Sequence, residues 1–376
     1  MRISTLAPVL MAAAVVAWPH AAIIAQSAGD NAASSASARQ VQIPVVVRDK
    51  RGAPVTDLTA GDLAITDNGR PQTIQTLAQS GKAPLQAGLL VDTDRGMARA
   101  LDSQHKAAEK FVDLILSTDG AGTAPANQVF LIHFDREVEL LQDFTSSRDK
   151  LHTDLEQLGP TRAPADTQGP ETADSEGGYG NRRNASPQLY DAIYLAADDL
   201  MKSKQGRKAL VVFSNGFDGG SKESLNEAIE AAERAHTPIY TIYFRGDEQR
   251  AAGGGFPGGR RGRVSGWPGT GGGWPGGAHP GGGGTGSQLP QVDGRKIMEQ
   301  IAVRTGGLYF QAKKVSEFDD IYNQIARNAL AQYLLTYTPD HSDNDAEFHK
   351  IAMKATRSDL TVTAPEGYYS AEDETK

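Results

Sequence analysis

The sequence predicts an α/β protein built on a doubly wound, mostly parallel sheet, with a small N-terminal β module and further β strands at the C-terminus. Three observations lead there. Continuous apolar runs alternate with helix-period segments through the middle of the chain, as strands buried on both faces require. Short β-rich runs broken by turn dipeptides occupy both ends. Two segments too poor in apolar residues to build a core interrupt the pattern.

The 376 residues suit one domain of about 200 residues with smaller attachments. Residues 1–27 read as a signal peptide, with Arg2, an apolar stretch from Leu6 to Trp18, and small residues in Ala25-Gln26-Ser27 at the cleavage positions. That stretch is shorter than the roughly 20 residues a membrane span needs, and Pro19 and His20 interrupt it. No transmembrane span is expected after cleavage, and the mature protein is expected to be periplasmic or secreted. Residues 28–39 read as a flexible leader, and residues 40–80 as a β module with a hairpin signal at Asn68-Gly69.

From Leu85–Val91 onward, strands and helices alternate. Gln128–Phe134, Ala209–Phe213, Pro238–Phe244 and Gly307–Phe310 read as strands. The helical stripes are Leu101/His105/Ala108/Val112/Ile115, Leu189/Ile193/Ala196/Leu200, Leu225/Ile229/Ala232, Ile297/Ile301 and Phe318/Ile321/Ile325/Ala329. This central domain spans 83–335, with disordered inserts expected at 160–186 and 253–286. Residues 336–376 carry β-like text ending in Tyr368-Tyr369, expected to pack at a strand end; it either pairs with the N-terminal module or forms its own.

Composition removes several function classes. There is no cysteine, so disulfides, thiolate zinc sites, iron–sulfur clusters and cysteine nucleophiles are excluded. Acidic residues outnumber basic ones, 46 to 38, which argues against nucleic acid as a partner. Ser214 lacks the G-x-S-x-G setting, and Gly219-Gly220-Ser221-Lys222 lacks phosphate-loop spacing, with Ser221 expected to cap the following helix. His105 reads as a satisfied core histidine. With no nameable set of nucleophile, base and orienter, the reading is non-enzymatic.

The segments LQAGLLVDTDRGMARALDSQHKAAEKF, QVFLIHFD, SPQLYDAIYLAADDL, KALVVFSNGFDGGSKESLNEAIEAAERAHTPIYTIYF and RTGGLYF together resemble a von Willebrand factor type A domain, a Rossmann-like fold. The flanks resemble those of exported bacterial proteins of this family, abundant in acidobacteria. The resemblance implies a metal-ion-dependent adhesion site for Mg²⁺ or Mn²⁺, built from Asp-x-Ser-x-Ser on the first loop plus a Thr and an Asp from later loops. Mg²⁺ takes six oxygens at about 2.0–2.1 Å, leaving an open position for a partner's carboxylate. Here Asp92 keeps the first position, while Asp94 and Gly96 replace the two serines. The Thr position falls near Pro187, leaving Ser186 as the closest hydroxyl, and Asn215 stands in place of the Asp. The site is therefore degenerate, with Asp92, Asp94, Ser186 and Asn215 as metal candidates for Mg²⁺ or, given the extra charge of Asp94, Ca²⁺. A second reading makes the two aspartates capping carboxylates for a helix starting about two residues after Asp94, with Arg95 neutralising them.

The functional expectation is binding or assembly with an as yet unidentified protein partner, at the carboxyl ends of the strands, around Asp92, Asp94 and Arg95. The alternative is an envelope-associated structural or glycan-binding protein acting through the 253–286 insert. That insert holds 18 of the 41 glycines and reads first as an inert linker on a surface loop; the functional reading makes Phe256, Trp267 and Trp274 exposed stickers.

Overall fold

The computed structural model describes residues 40–78, 83–117, 126–159, 187–246, 293–340 and 347–369. The expected signal peptide, leader and both inserts lie outside the described residues. The N-terminal strands are β1 (Val41–Arg48), β2 (Leu63–Asp67), β3 (Arg70–Gln72) and β4 (Ile74–Ala78). The central strands are β5 (Leu85–Asp92), β6 (Gln128–Phe134), β7 (Val138–Thr145), β8 (Arg207–Ser214), β9 (Ile239–Phe244) and β10 (Tyr309–Ala312). Between and after them lie α1 (Leu101–Ser117), α2 (Arg148–Glu156), α3 (Leu189–Tyr194), α4 (Leu225–Arg234), α5 (Gly294–Thr305) and α6 (Phe318–Leu330). The chain closes with β11 (Tyr333–Tyr337), β12 (Phe348–Ala355), β13 (Thr361–Thr363) and β14 (Gly367–Tyr369).

The central sheet runs β10-β9-β8-β5-β6-β7, parallel except for the antiparallel edge strand β7. In the order of the chain this is the doubly wound arrangement 3-2-1-4-5-6. All eight residues of β5 and of β8 are buried, which is why both read as near-continuous apolar runs. Alternate residues of β5 feed opposite layers. Leu85, Ala87, Leu89 and Val91 face α1, α2 and α6, with Phe111, Leu151 and Ile325, whereas Leu90 joins Ile193, Ile229 and Ile301 from α3, α4 and α5.

β7 and α2 were not expected from the sequence. Glu137, Glu139 and Asp143 break the apolar run, and the irregular pairing of β7 with β6 blurs the alternation further. Helix α3 continues through Leu195–Met201 as a π-helical segment, closed by Lys202 N–H donating to the Ala197 carbonyl.

The two chain ends interleave in two four-stranded sheets, β13-β1-β11-β4 and β14-β12-β2-β3. Their shared core holds Ile43, Val45, Ile65, Tyr333, Leu335, Tyr337 and Ile351. The Asn68-Gly69 turn forms as expected between β2 and β3, with φ of 47° and 80°, the left-handed pair a two-residue hairpin needs. Among the described residues, no helix is long and apolar enough to cross a membrane.

Candidate functional site at the top of the sheet

The chain reverses its winding direction between β5 and β8. The loop after β5 leads to α1 on one face, and the loop after β8 leads to α4 on the other. Such a switch point opens a crevice beyond the carboxyl ends of the strands. Pairing of Val91 with Phe213 sets the last residues of the two strands, Asp92 and Ser214, side by side at the carboxyl end of the sheet. The Ser214 hydroxyl donates to Asp92 Oδ2 at 2.7 Å, and the Asp94 N–H donates to Asp92 Oδ1 at 3.0 Å. Neither Asp92 nor Ser214 has exposed surface. Burial, then the neighbouring Asp94 charge, push the Asp92 carboxyl up from 3.8 to about 7, against the Ser214 hydroxyl and the backbone of Asp94 and Asn215.

Asp94 does not cap α1. Its Oδ1 accepts from Met97 N–H at 3.0 Å, closing a turn, and the helix begins only at Leu101. A run of turn residues intervenes, and a Cβ on Gly96 there would stand 3.0 Å from Asp94 Oδ1. Arg95 is exposed on this turn. Asn215 is buried and its Oδ1 accepts from Phe217 N–H at 2.8 Å, while Gly216 N–H donates to Ser214 Oγ at 3.0 Å. The structure thus brings Asp92, Asp94 and Asn215 to one place. Ser186, Trp267 and Trp274 lie outside the described residues.

Two further loops are tied into the same surface. Gln188 N–H donates to the Asp135 carbonyl at 2.9 Å and its side chain to the Arg136 carbonyl at 2.7 Å. Gly219 and Gly220 N–H both donate to the Pro187 carbonyl at 3.2 Å. Ser221 does not cap the following helix; Ser224 does, in a capping box with Glu227. Ser221 Oγ instead accepts from Tyr190 and Asp191 N–H at 3.1 Å each, the first turn of α3, and donates to Asp218 at 2.6 Å. Asp191 answers by accepting from Lys222 and Glu223 N–H at 2.9 Å.

Sequence reading considered Ser214 only as a nucleophile and missed it as the partner of Asp92. Its place at the end of a buried strand, before Asn-Gly, was the available signal. His105 also differs from expectation, since its buried Nε2 has no hydrogen-bond partner among the described residues, and burial lowers its pKa.

A divalent cation at this place would draw on the oxygens of Asp92, Asp94 and Asn215. Both Asp92 oxygens, Asp94 Oδ1 and Asn215 Oδ1 already accept from protein donors. Among the described residues, no group of three or more His, Asp or Glu side chains gathers in a way that could hold a metal. Asp92, Asp94 and Asn215 therefore supply two carboxylates and one amide, fewer than the six or more oxygens a Mg²⁺ or Ca²⁺ ion takes, and the fourth candidate, Ser186, lies outside the described residues.

No family model and no curated protein matches the chain. Among solved structures it is similar to the conserved hypothetical protein BatB from Bacteroides thetaiotaomicron, at 15% identity and TM-score 0.38, covering 65% of this chain and 98% of that one. It is also similar to the vWF domain of the type V pili tip protein Mfa5 from Porphyromonas gingivalis, at 11% identity and TM-score 0.41, covering 65% and 95%. A von Willebrand factor type A protein from Catenulispora acidiphila gives 8% identity and TM-score 0.41, covering 85% and 76%. These likenesses concern fold alone. On its own sheet order and its buried parallel strands, the chain has a doubly wound, mostly parallel α/β fold, the architecture that the resemblance to a von Willebrand factor type A domain implies.

Proposed function

We propose that the protein is an exported, non-enzymatic binding protein that engages a protein partner through the top of its central sheet, around a degenerate adhesion site centred on Asp92 and Asp94. The observation that carries this reading is the ring of hydrogen bonds joining four loops, on which Phe217 is 51% exposed, Arg95 is exposed and Asp94 is half-buried. Aromatic and Arg side chains dominate binding energy, and loops ordered beforehand lose little entropy on association. The hydroxyl–carboxylate pair Ser214–Asp92 is out of reach of a substrate, which supports a role without catalysis. Export rests on residues 1–27.

Contact in this reading is made by hydrogen bonds and apolar surface, with no bound cation. Two experiments test it. Calorimetric titration of chelator-treated protein (residues 28–376) with Mg²⁺, Mn²⁺ and Ca²⁺, beside Asp92→Ala, should give no saturable heat. Saturable heat lost in Asp92→Ala would restore a cation to the site. Binding to proteins of the organism's own envelope fraction should weaken in both Phe217→Ala and Asp94→Lys. Equal retention by wild type and both variants removes the top face from the function.

A further inference from the structure

Helix α5 touches the candidate site at one end and the C-terminal strands at the other. At its N-terminal end the contact is backbone on backbone. A Cβ on Gly294 would stand 2.2 Å from the Asn215 carbonyl oxygen, and one on Gly216, whose φ is +72°, would stand 2.2 Å from the Gly294 carbonyl oxygen. No side chain cushions this contact, so the 214–217 loop must follow the helix end.

At the far end, about 18 Å away for 12 helical residues, the same arrangement recurs. Gly306, at φ +79°, leaves no room for a Cβ, which would meet Pro365 N at 2.3 Å. Glu366 N–H donates to the Arg304 carbonyl at 3.1 Å, and the Glu366 carbonyl accepts from Ile351 N–H in β12 at 2.8 Å. Arg304 forks onto both oxygens of buried Glu233 at 3.0 Å, tying α5 to α4. Two residues on, the adjacent tyrosines divide their attachments. Tyr368 turns inward, its hydroxyl donating to buried Asp67 of β2 at 3.0 Å, and the Tyr369 ring lies 4.2 Å from the Arg234 guanidinium of α4. Between its ends α5 is held flush on β9. The Thr241 hydroxyl donates to the Met298 carbonyl at 2.9 Å, and Ile239 N–H donates to the Thr305 hydroxyl at 3.0 Å.

We propose that the Pro365–Tyr369 segment is a clasp and α5 a rod, which together make the order of the 214–217 loop depend on how the β module is seated against α4 and α5. A close-packed contact with no slack passes a displacement on, whereas flexible side chains absorb it. This coupling concerns the loop's own mobility and does not depend on what the loop binds.

The experiment is amide hydrogen exchange on the full mature chain (residues 28–376), reading Gly216 and Phe217 at the site, Glu366 at the clasp, and the α1 amides on the opposite layer. Gly306→Ala drives a wedge between rod and clasp, and Tyr369→Leu removes the ring from Arg234 by a milder route should the first variant fail to fold. Either should speed exchange at Gly216 and Phe217 by about tenfold while α1 keeps its rate. Coupling is reciprocal, so Gly294→Ala at the site end should speed Glu366 by a comparable factor. Site amides unchanged while Glu366 accelerates, or acceleration spread equally to α1, overturns the proposal.

Discussion

Removing two phenolic hydroxyls from the β module should reveal a cooperative buried network around Asp67. This carboxyl has no exposed surface. Its Oδ2 accepts from Tyr337 Oη at 2.8 Å and Tyr368 Oη at 3.0 Å, and His349 Nδ1 stands 3.5 Å from its Oδ1. The four residues come from β2, β11, β14 and β12, so the cluster joins strands from both ends of the chain. Burial, followed by the neighbouring Tyr368 and Asp67, holds the Tyr337 hydroxyl well above the ordinary phenol range, which keeps it a donor. A hydrogen bond to a charged acceptor contributes about 1.5–3 kcal/mol, so Tyr337→Phe and Tyr368→Phe should each cost about that much. The double variant should cost more than their sum, by about 1 kcal/mol, because only the second loss leaves Oδ2 without a donor. Urea denaturation followed by far-UV circular dichroism suits the measurement, since Trp267 and Trp274, the tryptophans beyond residue 27, both sit in the glycine-rich insert. Single costs below about 0.5 kcal/mol, or strict additivity, would refute the network.

Three other outcomes are expected. The Asp92 pKa is raised from 3.8 to about 7 in the folded chain, so the folded state holds the extra proton across that window. The resulting stabilisation is complete in acid and lost as pH rises through about 7; Asp92→Asn should abolish this fall, and parallel wild-type and variant profiles between pH 4 and 8 would contradict it. Buried Lys208, which donates to the Ala235 carbonyl at 2.9 Å, is pushed down from 10.5 to about 8 by desolvation. There the unfolded chain binds more protons, so stability should rise between pH 8 and 10.5 by at most about 1.4 kcal/mol per unit, and Lys208→Met should remove the rise in thermal or urea unfolding. Ser224→Ala should cost about 1 kcal/mol as a lost α4 cap. Ser221→Ala should instead speed exchange at the Tyr190 and Asp191 amides in α3; faster exchange at the α4 amides would return Ser221 to the role the sequence suggested.

Local sequence determined the elements whose cause is local. The runs Leu85–Val91 and Ala209–Phe213 are continuous and apolar because a central parallel strand is covered on both faces, and that reading needs no knowledge of neighbours. The Asn68-Gly69 hairpin was equally legible, since its left-handed backbone is a property of two adjacent residues. Asp92 at the end of its strand could be singled out for the same reason. The link from Asp92 to Ser214 spans 122 residues and exists only because β5 and β8 are neighbours in register. The cap on α3 comes from Ser221, about 30 residues downstream, while local spacing pointed to the helix nearest in sequence. Strands of the two chain ends show similar alternation whichever partner they take, so their interleaving was undecided until β1 lay between β11 and β13. Alternation specifies which face of a strand is buried; which other strand or loop completes that face is decided by the packing of the whole chain.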